Sequence, residues 1–212
     1  MTRTALLLPA ALTAAALTLS ACTDSSDDAS TASATSSTSP SASTAASGTA
    51  VSDSAENHAD ADVMFAQMMI PHHQQAIEMS DIVLAKDGIP ADITTLAEEI
   101  KAAQGPEIEQ MTGWLEQWGE PTEPQDGHGG HDMSMMEGML SEGEIQQLSD
   151  AEGVDAAQMF LEQMIAHHEG AITMAEDEVS SGRYEPAVEL ARTIIDTQQQ
   201  EIDTMRGMLD AL

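Results

Sequence analysis

The amino-acid sequence predicts an all-α fold, a four-helix bundle made of two tandem helical hairpins. The stretch 64–79 recurs as 159–174 with nine identical positions in sixteen, and 96–115 recurs as 190–209 with nine in twenty. Within each copy, apolar residues recur at spacings of three, four and seven, which is the helical period. Two short-looped hairpins with apolar faces bury those faces best by packing them together.

Each copy of the repeat predicts two helices separated by glycine and proline. The expected helices span 59–86, 90–118, 155–180 and 186–210. Pro71 lies inside the first helix and Gly105-Pro106 inside the second. We expect local bends there, because proline lacks the amide that would bond to the preceding turn.

The segment 119–140 joins the two copies and shows no helical period. It is rich in glycine, proline, histidine and methionine. A short helix should follow it, because Ser141 and Glu144 have the spacing of a capping box. We assign the folded domain to 58–212, with 119–140 as its His/Met-rich loop.

The N-terminal residues 1–21 have the layout of a secretory signal peptide, with Arg3 followed by a short apolar run. The run ends in Leu19-Ser20-Ala21-Cys22, which resembles a bacterial lipobox, and Cys22 is the single cysteine of the chain. We therefore predict that Cys22 is lipidated; the alternative is a secreted protein with a stray thiol. Residues 22–57 contain mostly Ser, Thr, Ala and Asp, which favours a disordered tether.

The charge of the chain limits its partners. Lys plus Arg number 6 and Asp plus Glu number 37, for a formal charge of −31. Nucleic acid is excluded as a partner, because phosphate binding depends on lysine and arginine. The same deficit argues against an anionic lipid surface, so contact with the membrane is expected only through the lipid anchor. Cations are favoured, although an acidic surface also simply aids solubility.

Two His-His pairs occupy equivalent places in the repeat. His72 and His167 fall in the middle of the apolar stripes of their helices. His73 and His168 should lie about 100° further round, at the edge of each stripe. Core histidines held by hydrogen bonds and histidines that bind a metal ion are both consistent with this pattern.

Methionine and histidine also cluster in the joining loop. Its candidate ligands are His128, His131, Met133, Met135, Met136 and Met139. Thioether and imidazole together suit copper, above all Cu(I), and the equally soft silver ion. The alternatives are a linker that happens to be rich in methionine and, for the helical methionines, ordinary core filling.

Each second helix carries a glutamine and a glutamate near its middle. Gln104 and Glu107 in the first copy match Gln198 and Glu201 in the second. Their helical face turns them toward the bundle, where a buried carboxylate needs a partner. The histidines are the expected partners, through hydrogen bonds behind a metal site or through ion pairs; outward rotation to solvent is the alternative.

The sequence offers no support for catalysis. A di-iron bundle enzyme needs Glu-x-x-His on two helices, and neither that motif nor His-Glu-x-x-His occurs in this chain. No nucleophile with an attendant base is recognisable. We therefore expect a protein that is not an enzyme.

The chain resembles the bacterial family called domain of unknown function 305 over about 59–212. The resemblance lies in MIPHHQQAIEM, MIAHHEGAITM and the Gln-x-x-Glu-Ile-x-x-Met that follows in each unit. It implies a ferritin-like four-helix bundle and, as in some members, extracytoplasmic copper binding. The motif residues carried over are His72, His73, His167, His168, Met69, Met79, Met164 and Met174.

The expected function is that of a copper-binding lipoprotein at the outer face of the cell membrane. It would sequester Cu(I), or silver, or hand the ion to a copper-handling protein whose identity the sequence leaves open. The alternative is a non-catalytic scaffold or interaction domain in which histidine and methionine are core residues.

Overall fold

The structure, a computed structural model, describes residues 57–123 and 137–212. Within these ranges the chain forms helices and no strands. They are α1 Asp60–Leu84, α2 Ala91–Trp118, α3 Glu142–Asp150, α4 Gly153–Ser181 and α5 Glu185–Leu209. The predicted all-α fold is confirmed. The predictions for the signal peptide, Cys22, the tether and the loop residues His128 to Met136 lie outside the described residues.

The two hairpins of the repeat pack into one bundle. Helix α1 packs on α2 and α4 packs on α5, while α1 and α4 face each other and join the hairpins. The short α3 lies against α1 and α4. The lengths of the four long helices, 25 to 29 residues, let their apolar stripes run along the whole core.

The core consists of two apolar clusters. One contains Ala76, Ile100, Met164 and Ile202, and the other contains Met69, Met111, Ala171 and Ile194, among further residues. On every long helix the chain passes from one cluster to the other through buried polar residues. These are His72 and His73, Gln104, His167 and His168, and Gln198. The buried histidines and glutamines therefore form a polar layer between two apolar clusters, and we call it the histidine layer.

Most predicted helix ends lie within a few residues of the observed ones. The capping box before α3 is present: the Ser141 hydroxyl accepts from the amide of Glu144, and the Glu144 carboxylate accepts from the amide of Ser141. Helix α1 continues through Pro71 and α2 through Pro106. None of the helices in 57–123 and 137–212 is long and apolar enough to cross a bilayer.

A second buried polar group closes the end of the bundle away from α3. The Asp62 carboxylate on α1 accepts hydrogen bonds from the amides of Arg183 (3.0 Å) and Tyr184 (2.8 Å), in the turn between α4 and α5. Glu178 lies beside it and is also buried. Gly182 is needed there, because a Cβ at this position would collide with the Glu178 carboxyl group.

Candidate metal centre

The centre of the histidine layer is a pair of stacked imidazoles. His72 on α1 and His167 on α4 have ring centroids 3.7 Å apart, with the ring planes tilted by 40°. Both rings are buried, as the stripe positions predicted. Equivalent positions of the repeat meet here because α1 and α4 pack face to face. The pair therefore brings one nitrogen-rich side chain from each copy into direct contact.

Both rings of the central pair are neutral. Burial lowers the pKa of His72 to about 3, with a smaller contribution from His73. Burial also holds the pKa of His167 well below its usual value, and the His72 ring adds to the effect. Protonating either ring would place a charge in a dry core beside another imidazole. Neutral imidazole is also the form that can donate a lone pair to a metal ion.

A carboxylate holds each of the flanking histidines. The Nε2 atom of His73 lies 2.7 Å from Oε2 of Glu107, and Nε2 of His168 lies 2.6 Å from Oε2 of Glu201. The expected pairing of these glutamates with the histidines is thus found in both hairpins. An ionised carboxylate can only accept, so Nε2 of each ring carries the hydrogen.

His73 and His168, which the sequence placed at the edge of the stripe, are not exposed there. Both are fully buried. The second helix of each hairpin covers them, and it does so with the partly exposed carboxylates of Glu107 (17%) and Glu201 (22%). A residue about 100° from the centre of one helical face can still be buried when a third helix packs beside it.

Several buried polar atoms of the layer have no hydrogen-bond partner within the described part of the chain. They are Nδ1 of His72, His73 and His168, both ring nitrogens of His167, both amide atoms of Gln104 and Oε1 of Gln198. Most buried polar side-chain atoms in proteins are satisfied. The atoms without a partner are therefore concentrated where the two His-His pairs meet.

The motif methionines divide into two groups by position. Met69 and Met164 are fully buried, and each lies one helical turn before a flanking histidine, His73 or His168. Met79 and Met174 come seven residues after the central histidines, roughly 10 Å along the helix axis. Met79 is buried in an apolar cluster and Met174 is partly exposed. The first group therefore borders the histidine layer and the second does not.

A main-chain oxygen that the sequence analysis missed also reaches the layer. The carbonyl oxygen of Glu137, just before α3, lies 3.4 Å from Nε2 of His72. Met139, in the same segment, is partly buried. A signal for this contact was present in the repeat, because Gln75 and Gly170 occupy equivalent positions and differ sharply in size.

Oxygen and nitrogen donors alone do not complete a site of ordinary geometry here. Within 57–123 and 137–212, no three His, Cys, Asp or Glu side chains are arranged to hold one ion. The buried donors that neighbour the central pair along α1 and α4 are the flanking imidazoles and, one helical turn earlier in the sequence, the thioethers of Met69 and Met164. Imidazole with thioether is a donor set for soft monovalent ions.

The fold and the histidine layer define a class: a duplicated helical bundle with paired, carboxylate-held histidines in its core. The family described as "Domain of unknown function (DUF305)" matches residues 62–209, and the chain belongs to this family. The resemblance inferred from the motifs is thus confirmed. Among curated proteins, none is significantly similar to the chain.

Solved structures of relatives share the fold. A DUF305 fragment from Deinococcus radiodurans is 34% identical, with 73% of this chain and 98% of the fragment covered and a TM-score of 0.65. A DUF305 protein from Streptomyces coelicolor, whose description calls it secreted, is 33% identical, with 71% and 91% covered and a TM-score of 0.64.

CopM is similar to the chain and has been solved with metal ions. Its Cu(I)-bound form is 27% identical, with 71% of this chain and 96% of CopM covered and a TM-score of 0.59. Its Cu(II)-bound form is 29% identical with a TM-score of 0.58, and a silver-bound form is 28% identical with a TM-score of 0.56.

Proposed function

We propose that this protein binds a soft metal ion, Cu(I) or the chemically similar Ag(I), in the histidine layer, outside the cytoplasm and without catalysis. The observation that carries the proposal is the buried His72–His167 pair with unpartnered ring nitrogens. The similarity to CopM, which has been solved in copper-bound and silver-bound forms, supports the choice of metal.

The residues of the layer suit this role chemically. His72 and His167 are neutral and can donate a lone pair without first losing a proton. Glu107 and Glu201 hold the Nε2–H groups of His73 and His168, which orients each ring and leaves its Nδ1 as the atom that can bind a metal ion. Met69 and Met164 add thioethers, which prefer Cu(I) to hard cations.

The bundle also explains how binding could be tight. The rings are already held in place by packing and by the two carboxylates, so little conformational freedom is lost when an ion enters. The strongly acidic chain attracts cations in general but gives no selectivity by itself. Selectivity for a soft ion comes from the neutral nitrogen and sulfur donors of the interior.

The placement of the protein is part of the proposal. The signal-like residues 1–21 and the lipobox-like segment ending in Cys22 favour a lipid-anchored protein on the outer face of the membrane. The relative from Streptomyces coelicolor whose description calls it secreted supports an extracytoplasmic location. Sequestration of the ion, or its transfer to a copper-handling partner, would both fit this position.

Metal titration with matched variants tests the function. The chain from residue 23 onward is titrated anaerobically with Cu(I) and separately with Ag(I) against a competing chelator. Glu107→Gln and Glu201→Gln keep the shape of each side chain but weaken the hold on the histidine, and roughly a 10- to 100-fold loss of affinity is expected. Glu109→Gln, on the exposed side of α2, is the control.

Two results would contradict the proposal. One is an absence of stoichiometric binding of either ion by the folded wild-type chain. The other is binding that survives unchanged when all four histidines of the layer are replaced in a variant whose circular dichroism remains helical. Either result would favour the second candidate, a scaffold in which the methionines simply fill the core.

A further inference from the structure

Residues 137–140 cross from the joining loop onto the bundle beside the central histidine pair, and we call them the strap. Gln75 on α1 holds the strap by two hydrogen bonds, one from each end of its side-chain amide. The amide of Leu140 donates to Oε1 of Gln75 at 2.7 Å, and Nε2 of Gln75 donates to the carbonyl oxygen of Leu140 at 2.9 Å. This paired contact sets the position of the strap along α1.

On α4 the strap lies backbone against backbone. A Cβ added to Gly170 would collide with the carbonyl group of Glu137, and a Cβ added to Gly138 would come within 2.6 Å of the carbonyl oxygen of Ala166. Gly138 also has a φ of 82°, which other residues rarely adopt. The strap can therefore sit this close to α4 only because both positions are glycine.

The two copies of the repeat contact the strap through different residues. Gln75 and Gly170 are equivalent positions, 95 residues apart in the alignment of the copies. One copy supplies the side chain that grips the strap, and the other supplies the space that receives it. The two halves of the bundle therefore differ at the histidine layer, although their His-His motifs are identical.

The strap makes the surroundings of the two central histidines, His72 and His167, unequal. Nε2 of His72 lies 3.4 Å from the Glu137 carbonyl oxygen, whereas no hydrogen bond joins the strap to His167 within the described residues, and the His167 ring instead lies against the main chain of His72. A carbonyl oxygen has no hydrogen to donate, so a neutral His72 ring beside it places its own hydrogen on Nε2. Its lone pair is then on Nδ1.

We propose that Gln75 and Gly170 are positioning residues, which seat the strap so that its Glu137 carbonyl sets the tautomer of His72 and makes Nδ1 the atom offered to the metal ion. The strap carbonyl accepts from Nε2–H of His72, just as the carboxylates of Glu107 and Glu201 accept from Nε2–H of His73 and His168. The metal-ligand part of this inference rests on the proposed function, whereas the tautomer is a property of the metal-free protein.

Nitrogen-15 NMR of the metal-free chain from residue 23 onward tests the tautomer directly. In the wild type, His72 should be found almost entirely as the Nε2–H form. Gly170→Ala pushes the strap away while favouring helix α4 itself, and Gln75→Ala removes both hydrogen bonds to Leu140. Both variants should give a mixture of His72 tautomers and faster hydrogen exchange of the Leu140 amide. Gly113→Ala, on an open surface of α2, is the control and should change neither.

Silver binding by chelator competition supplies the second measurement. Affinity should fall roughly tenfold in Gly170→Ala and Gln75→Ala, as when an oxygen behind a ligand histidine is lost. A Leu140 amide that remains protected in both variants would show that these residues do not hold the strap, and the proposal would be wrong. It would be wrong too if the strap is released while the His72 tautomer stays the same. A wild type that binds no silver but loses its tautomer preference in the variants would overturn the proposed function and leave the positioning role standing.

Discussion

Replacing Glu178 by glutamine should remove a loss of folding stability that the wild type suffers at one end of the bundle as the pH rises. Glu178 and Asp62 are both buried and lie together, and no donor within the described residues reaches the Glu178 carboxyl oxygens. Burial and the neighbouring Asp62 carboxylate raise the pKa of Glu178 to about 8. Glu178 therefore keeps its proton at neutral pH and donates it to Asp62. Glutamine has nearly the same shape and donates through its amide.

Asp62 is the ionised partner of this pair. Burial by itself would raise its pKa, but hydrogen bonds from the amides of Ala59, Tyr184 and Arg183 and from Glu178 together lower it. Its titration therefore falls below the ordinary aspartate value of 3.8, outside the range in which Glu178 changes charge. Above the pH at which Asp62 titrates, the folded pair carries one proton until Glu178 is deprotonated.

The free energy of unfolding depends on pH because the folded and unfolded chains bind the Glu178 proton differently. Between pH 4.5, the ordinary value for glutamate, and about 8, the folded chain holds a proton on Glu178 that the unfolded chain has released. The stability contributed by this group is therefore present in acid and is lost as the pH rises. The slope is about 1.4 kcal/mol per pH unit, so the wild type should lose roughly 4–5 kcal/mol relative to Glu178→Gln across this window of about 3.5 units.

Urea unfolding of the two chains at intervals from pH 4.5 to 9 measures this difference. Taking the difference between variants cancels the titration of the buried histidines, which both chains share. Glu176→Gln, on the exposed side of α4, is the control and should show no trend with pH. A Glu178→Gln difference that stays flat across the range would show that Glu178 is already ionised in the folded protein, and the reasoning would be refuted.

Three further changes test other parts of the structure. Met69→Leu keeps the volume of a buried side chain, so we expect the free energy of unfolding to change by less than ~1.5 kcal/mol while Ag(I) affinity falls; equal affinity would make Met69 a core residue only. Gly182→Ala should lower the free energy of unfolding by ~1–3 kcal/mol, because the new methyl group collides with Glu178, and thermal melts that match the wild type would contradict this contact. Cys22→Ala should move the full-length protein from the membrane fraction to the soluble fraction, since anchoring needs the acyl chains; equal partition of both chains would rule out lipidation at Cys22.

The arrangement of helices was accessible from sequence because both of its determinants are local. The spacing of apolar residues defines one face of each helix, and the tandem repeat requires the two hairpins to use equivalent faces. The same reasoning placed His72 and His167 in the interior and turned Glu107 and Glu201 toward the histidines. Each of these predictions needs only the angle of a residue around its own helix, which sequence position determines at about 100° per residue.

The remaining features depend on how segments distant in sequence are aligned, which helical periodicity does not encode. The burial of His73 and His168 depends on how closely α2 and α5 pack beside them. The pairing of Asp62 with Glu178 joins the start of α1 to the end of α4, and neither residue stands out in its own stretch of sequence. The contact of the Glu137 carbonyl with His72 involves a main-chain atom, which every residue has, so no side-chain pattern marks it. Only the tertiary structure decides these contacts, because each requires two segments to be placed relative to one another along the bundle axis as well as around it.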